Sequence, residues 1–258
     1  MKSVKYLLLA GMLLPFVAAW AQDNDFSRQE RGSVRDFSGV SVSGTINLYL
    51  RQGSSEQVTV ETRGDYQENV ITEVNGGMLK IYQESAGWFS NSPKVNVYVT
   101  VDDISKLESS GATRITIETA LQGNNMRFSA SGSSRISSDE RMNFGDTRVD
   151  VSGSTKVELA ALNCGKFDCG MSGSSSVEIA GTAGNMTLGS SGASKFRGID
   201  FAVNNCQISS SGASNMSINA GGELSASMSG ASKLKYAGNP GITKLNTSGS
   251  ANISSANR

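Results

Sequence analysis

Between Ser110 and Ile253 the chain repeats one short phrase eight times: Ser-Gly, a small residue, and an apolar residue four positions after the glycine. The glycines are Gly111, Gly132, Gly153, Gly173, Gly192, Gly212, Gly230 and Gly249, at spacings of 18 to 21 residues. So short and regular a period admits few folds. Each copy is one supersecondary unit, too small to bury its own apolar face, and must be covered by the copies before and after it.

The offsets within the repeat say which unit it is. Four residues before the glycine stand Leu107, Phe128, Val149, Cys169, Leu188, Ile208, Ala226 and Leu245. Four after it stand Ile115, Ile136, Val157, Val177, Phe196, Met216, Leu234 and Ile253. Two after it come Thr113, Ser134, Thr155, Ser175, Ser194, Ser214, Ser232 and Ala251, small enough to face inward where a coil is narrow. Even offsets inward and odd offsets mostly polar is the period-two pattern of a strand. The predicted fold is all-β: a right-handed, single-stranded parallel β-helix (β-solenoid) whose coils of about 20 residues stack ~4.8 Å apart. A tight corner needs positive φ or a backbone without Cβ, and glycine meets both conditions. The serine before it is expected to bond its hydroxyl to local backbone or to the serine of the next coil.

Residues 22–105 are strand-like but break the period. Val40, Val42, Ile46, Leu48 and Leu50 alternate around a ninth Ser-Gly, Ser43-Gly44. Gly64 to Asn69 reads as a loop or a single helical turn, and Asn75-Gly76-Gly77 as a hairpin turn. This segment is expected to form irregular first coils that cap the stack, in one continuous domain with the repeats of 106–258.

The first 21 residues have the form of a secretory signal: Lys2 and Lys5, an apolar run from Tyr6 to Ala19, and the small-x-small site Ala19-Trp20-Ala21. The run is too short for a membrane anchor. The chain is therefore expected to be exported, to the periplasm, the outer-membrane surface or the medium, with no transmembrane segment in its mature form. Removing two of 23 basic residues leaves 21 against 23 acidic ones, a near balance that gives no argument for nucleic acid. With no histidine and no CxxC, neither a metal nor another cofactor is expected. Cys169 and Cys206 occupy apolar slots of the repeat and read as small buried hydrophobes, while Cys164 is open to pairing with either.

The segments FSGVSVSGTINLYLRQG, VTVET, VNGGMLKIY and VNVYVTVDDISKLESSGATRI, in that order, resemble the head GIN domain family of putative auto-transporter adhesins. The resemblance runs from about Phe37 to about Ile253. It implies a right-handed parallel β-helix, an exported or surface-associated protein of Bacteroidetes-type bacteria and an adhesin role. It supplies no catalytic residues.

Four features are candidate sites. Three residues after the repeat glycines run Arg114, Arg135, Lys156, Lys195 and Lys233, either a stripe that grips an anionic glycan or a soluble face. Trp88-Phe89 offers two adjacent aromatics, to stack on a sugar or partner or to plug the end of the solenoid. Glu158 and Glu178 fall on one outer face, one coil apart, near the ~5 Å carboxylate separation of retaining glycosidases. Small residues flank every repeat glycine, but without the threonine rows of an ice-binding face they fit tight corners better. The expected function is a non-enzymatic binding or adhesion module for a cell-surface glycan or envelope protein. The alternatives are a polysaccharide-acting enzyme built on the glutamates, or a structural envelope protein that self-associates through its C-terminal coil.

Overall fold

In the computed structural model, which describes residues 26–84 and 93–256, the apolar columns of the repeat become ladders in space. Before the regular repeats come β1 (Phe26–Glu30), β2 (Gly39–Val42), β3 (Ile46–Gln52), β4 (Gln57–Arg63), β5 (Val70–Asn75), β6 (Met78–Gln83) and β7 (Val95–Val101). The first regular coil contains β8 (Lys106–Ser109), β9 (Arg114–Ile117), β10 (Leu121–Gln122) and β11 (Asn125–Ala130). Four long strands then bend from one face to the next through bulges: β12 (Arg135–Val151), β13 (Lys156–Met171), β14 (Ser176–Ser190) and β15 (Lys195–Ser210). The stack finishes with β16 (Asn215–Ala220), β17 (Glu223–Met228), β18 (Lys233–Ala237), β19 (Gly241–Thr247) and β20 (Asn252–Ser255). The whole is a β-solenoid of about eight turns.

Register follows the repeat residue for residue. Leu107 pairs with Phe128, Phe128 with Val149, and the column continues through Cys169, Leu188, Ile208, Ala226 and Leu245. A second column runs from Leu48 through Ile115, Ile136, Val157, Val177, Phe196, Met216 and Leu234 to Ile253. Except at the last coil, both columns are buried and form the spine of one continuous core.

The corner explains the glycine. At Gly132, φ is +75° and an added Cβ would lie 2.6 Å from the carbonyl oxygen of Gly111 one coil below. That oxygen accepts a hydrogen bond from the Ser133 N–H at 2.8 Å, so the two corners are locked at backbone distance. The same bond recurs from Ala112 to Gly44 at the foot and from Ser250 to Gly230 at the top, which makes Gly44 the first rung.

The hydroxyl bonding differs from expectation. The residues two after the glycine are the ones that turn inward: Ser175, Ser194, Ser214 and Ser232 are buried, and Ser214 and Ser232 bond the buried serines of the coil before, Ser190 (2.7 Å) and Ser210 (3.1 Å). The serines immediately before the glycines point outward. Among these, Ser229 donates its hydroxyl to the Ser210 carbonyl at 3.5 Å.

The three thiols are free, with Cys169 and Cys206 buried in the core and Cys164 partly covered. Burial pushes the Cys164 thiol up to about 11 and Cys206 up to about 12, and raises Cys169 further still. A thiolate is the reactive form. Cys164 should therefore alkylate at pH 8 about tenfold more slowly than an exposed cysteine, the scarcer thiolate being partly offset by its greater nucleophilicity. Mass spectrometry of iodoacetamide adducts checks this, with all three thiols reacting in denaturant.

The N-terminal end is built differently from the repeats. β2 and β3 pair in parallel with β8 and β9 above them, and β6 and β7 lie parallel beneath. Below these the strand direction reverses: β5 runs antiparallel to β6, β4 to β7, and β1 to β4. The predicted turns are present, a 3-10 turn over Gly64–Asn69 and a hairpin in which Gly76 and Gly77 both have positive φ.

Candidate functional site

Alternation leaves the odd offsets of each strand outside, and stacking arranges them in straight columns. The basic residues form one such column. Arg114 pairs with Arg135 and Arg135 with Lys156, then Ser176, Lys195, Asn215 and Lys233 follow in register, with Asn47 beneath Arg114. Arg114, Arg135, Lys195 and Lys233 are exposed and Lys156 is half-buried.

Two residues further along, a parallel column reads Tyr98, Tyr49, Thr116, Ser137, Glu158, Glu178, Arg197, Ser217 and Lys235. Glu158 and Glu178 are thus cross-strand neighbours, as their positions in the repeat required. Each is claimed by cations. Lys156 and Arg135 (3.7 Å) both pair with Glu158, and Arg197 reaches Glu178 at 3.2 Å from the next coil. The glutamates border a depression of about 330 Å³ that Ile199 and Asp200 also line. A retaining glycosidase needs one carboxyl held protonated and the other free to attack. Ion pairing at both carboxylates works against that division of roles.

At the foot of this column lies a site that the sequence reading missed. Tyr49 and Tyr98 stack with ring centroids 5.0 Å apart, and the Arg28 guanidinium sits 4.8 Å over Tyr98. Arg28 also pairs with Glu61, which accepts a 3.1 Å hydrogen bond from Asn96. Burial works to raise the Glu61 carboxyl, but the hydrogen bonds from Arg28 and Asn96 outweigh it and hold the group below its ordinary range. The signal was in the sequence as Asn47-x-Tyr49 and Asn96-x-Tyr98, the same outward pair on two strands. Trp88 and Phe89 lie outside the described residues, as does the segment 1–21 that the sequence suggests to be a secretory signal.

A second concavity lies across the glycine corner. A trough of about 660 Å³ follows the stack from Ser41 to Ser191, and one of about 460 Å³ continues it from Gly189 to Ser248. Its outward floor consists of the residues one and three before each repeat glycine, a row of serines beside a mixed row in which Glu108, Asp150 and Asn246 stand among serines and glycines. Among the described residues no group of acidic, cysteine or histidine side chains has the arrangement of a metal site, and no helix is long and apolar enough to cross a membrane.

Comparison with known proteins matches this architecture. A putative lipid binding protein from Parabacteroides distasonis superposes with a TM-score of 0.83 at 19% identity, over 91% of this chain and 98% of that one. A putative adhesin from Parabacteroides merdae gives a TM-score of 0.81 at 16% identity, over 91% and 98%. A putative adhesin from Bacteroides fragilis gives 0.65 at 19% identity, over 89% and 96%. At these identities the likeness is one of fold. No functionally curated protein matches the chain. The family model described as putative auto-transporter adhesin, head GIN domain, matches residues 36–139 and again 126–240. Those two matches take in the first coils and nearly all the repeats, and the chain belongs to that family of adhesin-like proteins.

Proposed function

We propose that this protein is an exported, non-enzymatic adhesion module that binds an anionic glycan of the bacterial envelope along its basic outer face. The observation that carries the reading is the register of Arg114, Arg135 and Lys156 on three successive coils, continued by Lys195 and Lys233. A rigid column of cations spaced by one or two coils meets an extended polyanion at several points, and contacts that are weak singly add by avidity. Tyr49 and Tyr98 at one end, and Trp88 and Phe89 beyond the described residues, are the proposed aromatic contacts to sugar rings.

The test is binding to immobilised dextran sulfate, heparin and neutral dextran. Dextran sulfate and heparin are expected to bind with an affinity that falls as salt rises, and neutral dextran is not. The double variant Lys195→Glu, Lys233→Glu should weaken binding about tenfold or more, since each close charge contact in water is worth on the order of 1 kcal/mol. Equal binding by the variant would remove the basic column from the proposal. Reducing ends released by the parent protein but not by Glu178→Gln would favour the polysaccharide-acting alternative instead.

A further inference from the structure

The two ends of the solenoid are not alike. At the N-terminal end the parallel coils are covered by antiparallel strands, with β1 and β5 outermost and Arg28, Glu30 and Glu73 along them. At the other end β19 is exposed over all seven residues. Ile242 is 46% exposed and Leu245 41%, whereas Leu188, in the slot that Leu245 occupies, is fully buried three coils below. β19 pairs with β17 and β20 with β18, and among the described residues no strand lies on their outer edges. Natural edges are normally blunted by charge, proline or a bulge. Here Lys244 is the one charged residue in the two strands, and the bulge in β19, at Thr243, falls before the stretch from Lys244 to Ser254, where Leu245 is left in the open.

The sequence of this last coil identifies what fits on it. Read outward from Gly249 in both directions, it is nearly palindromic: Ser248 and Ser250, Thr247 and Ala251, Asn246 and Asn252, Leu245 and Ile253. An edge whose two arms carry matching residues at matching distances is complementary to itself under a two-fold axis through its centre. We propose that two copies of the chain meet tail to tail about such an axis at the Gly249 corner, with β19 of each copy pairing antiparallel with β20 of the other.

The pairing rules agree position by position. Each residue a given number of places before Gly249 lies opposite the residue as many places after it in the other copy. Leu245 then lies over the partner's Ile253, so the apolar columns of the two cores join. Asn246 meets the partner's Asn252 on the outside. Amide ladders of this kind already hold the stack, with Asn205 donating to Asn185 at 3.0 Å and Asn163 to Asn143 at 3.2 Å. Lys244 lies opposite the partner's Ser254. A head-to-tail filament lacks this match, because the N-terminal end presents antiparallel, charged strands. One coil end buries on the order of 1,000 Å² in total, the lower bound for a specific interface, so the dimer forms reversibly.

Sedimentation equilibrium of the chain from Gln22 onward tests the proposal. A monomer–dimer equilibrium is expected, and Leu245→Lys should leave a monomer. Ser254→Glu, which places a carboxylate opposite the partner's Lys244 at two symmetric points, should tighten the dimer about three- to tenfold. Adding Lys244→Glu to that variant should abolish the gain, and the swapped pair Lys244→Glu, Ser254→Lys should restore it. The charge variants decide the matter even if Leu245→Lys frays the last coil. A monomer at all concentrations, a ladder of larger oligomers, or a dimer indifferent to these charges would each overturn the proposal.

Discussion

Replacing Gly132 with alanine is expected to cost about 2–5 kcal/mol of stability, more than a single methyl group costs at almost any exposed site. Two causes add. The corner holds φ at +75°, where an L-residue pays roughly 1–2 kcal/mol. The new Cβ would also stand 2.6 Å from the Gly111 carbonyl oxygen, and relieving such an overlap costs typically about 1–3 kcal/mol. The oxygen cannot step aside cheaply, because it accepts the Ser133 N–H and its own coil is bonded to the coil beneath. Two control substitutions separate the causes. Gly77 has φ of +74° with nothing within 4 Å, so Gly77→Ala should show the conformational part alone, about 1–2 kcal/mol. Gly189 has ordinary φ and its nearest neighbour 3.9 Å away, so Gly189→Ala should be neutral or slightly stabilising. Urea unfolding of the three variants gives the order. Gly132→Ala no worse than Gly77→Ala would mean that the corners are not held at the spacing described.

The repeat made most of the regular stack legible because a solenoid converts sequence offset directly into spatial position. Offsets of four on either side of the glycine named both core columns, and the inward turn of Ser175, Ser194 and Ser214 followed from the same parity. What escaped was whatever the period does not encode. The gap between Gly44 and Gly111 hides a topological step, in which β8 stacks on β2 although residues 43–105, with the antiparallel β4 and β5 among them, lie between them in sequence. The pairing of Phe26–Glu30 with Thr59–Arg63 has no local signature. The columns of Tyr49 with Tyr98 and of Glu178 with Arg197 needed the register of two coils at once, and in a single strand a tyrosine reads as core. The serine trough depends on the curvature of the sheet, which no single repeat states.

Phe167→Ala should be the most damaging core substitution in the middle of the stack, at about 3–5 kcal/mol. The side chain is fully buried, meets Phe201 edge-on at 5.2 Å and Phe196 at a tilt at 6.5 Å, and stacks in register between Thr147 and Met186. Removing the ring opens a hole shared by the coils of β13, β14 and β15. Backbone ladders fix those coils at the strand spacing, so collapse around the hole is limited and most of the cavity term remains. In a linear array each coil is stabilised by its two neighbours, and a weak rung in the middle uncouples the halves. The variant should therefore unfold in urea with a lower midpoint and also a shallower or divided transition. Amide exchange should open first at β13 to β15, while β2, β3 and β7 keep their protection. Leu245→Ala, measured at concentrations where the chain is monomeric, offers the contrast, since its site is 41% exposed at the end of the stack, where a lost contact disturbs a neighbour on one side alone. Its cost should stay near 1 kcal/mol with the slope of the transition unchanged. If Phe167→Ala shifted the midpoint without altering the slope, and exchange rose equally in all coils, the molecule would be one cooperative unit and the nearest-neighbour account of its stability would be wrong.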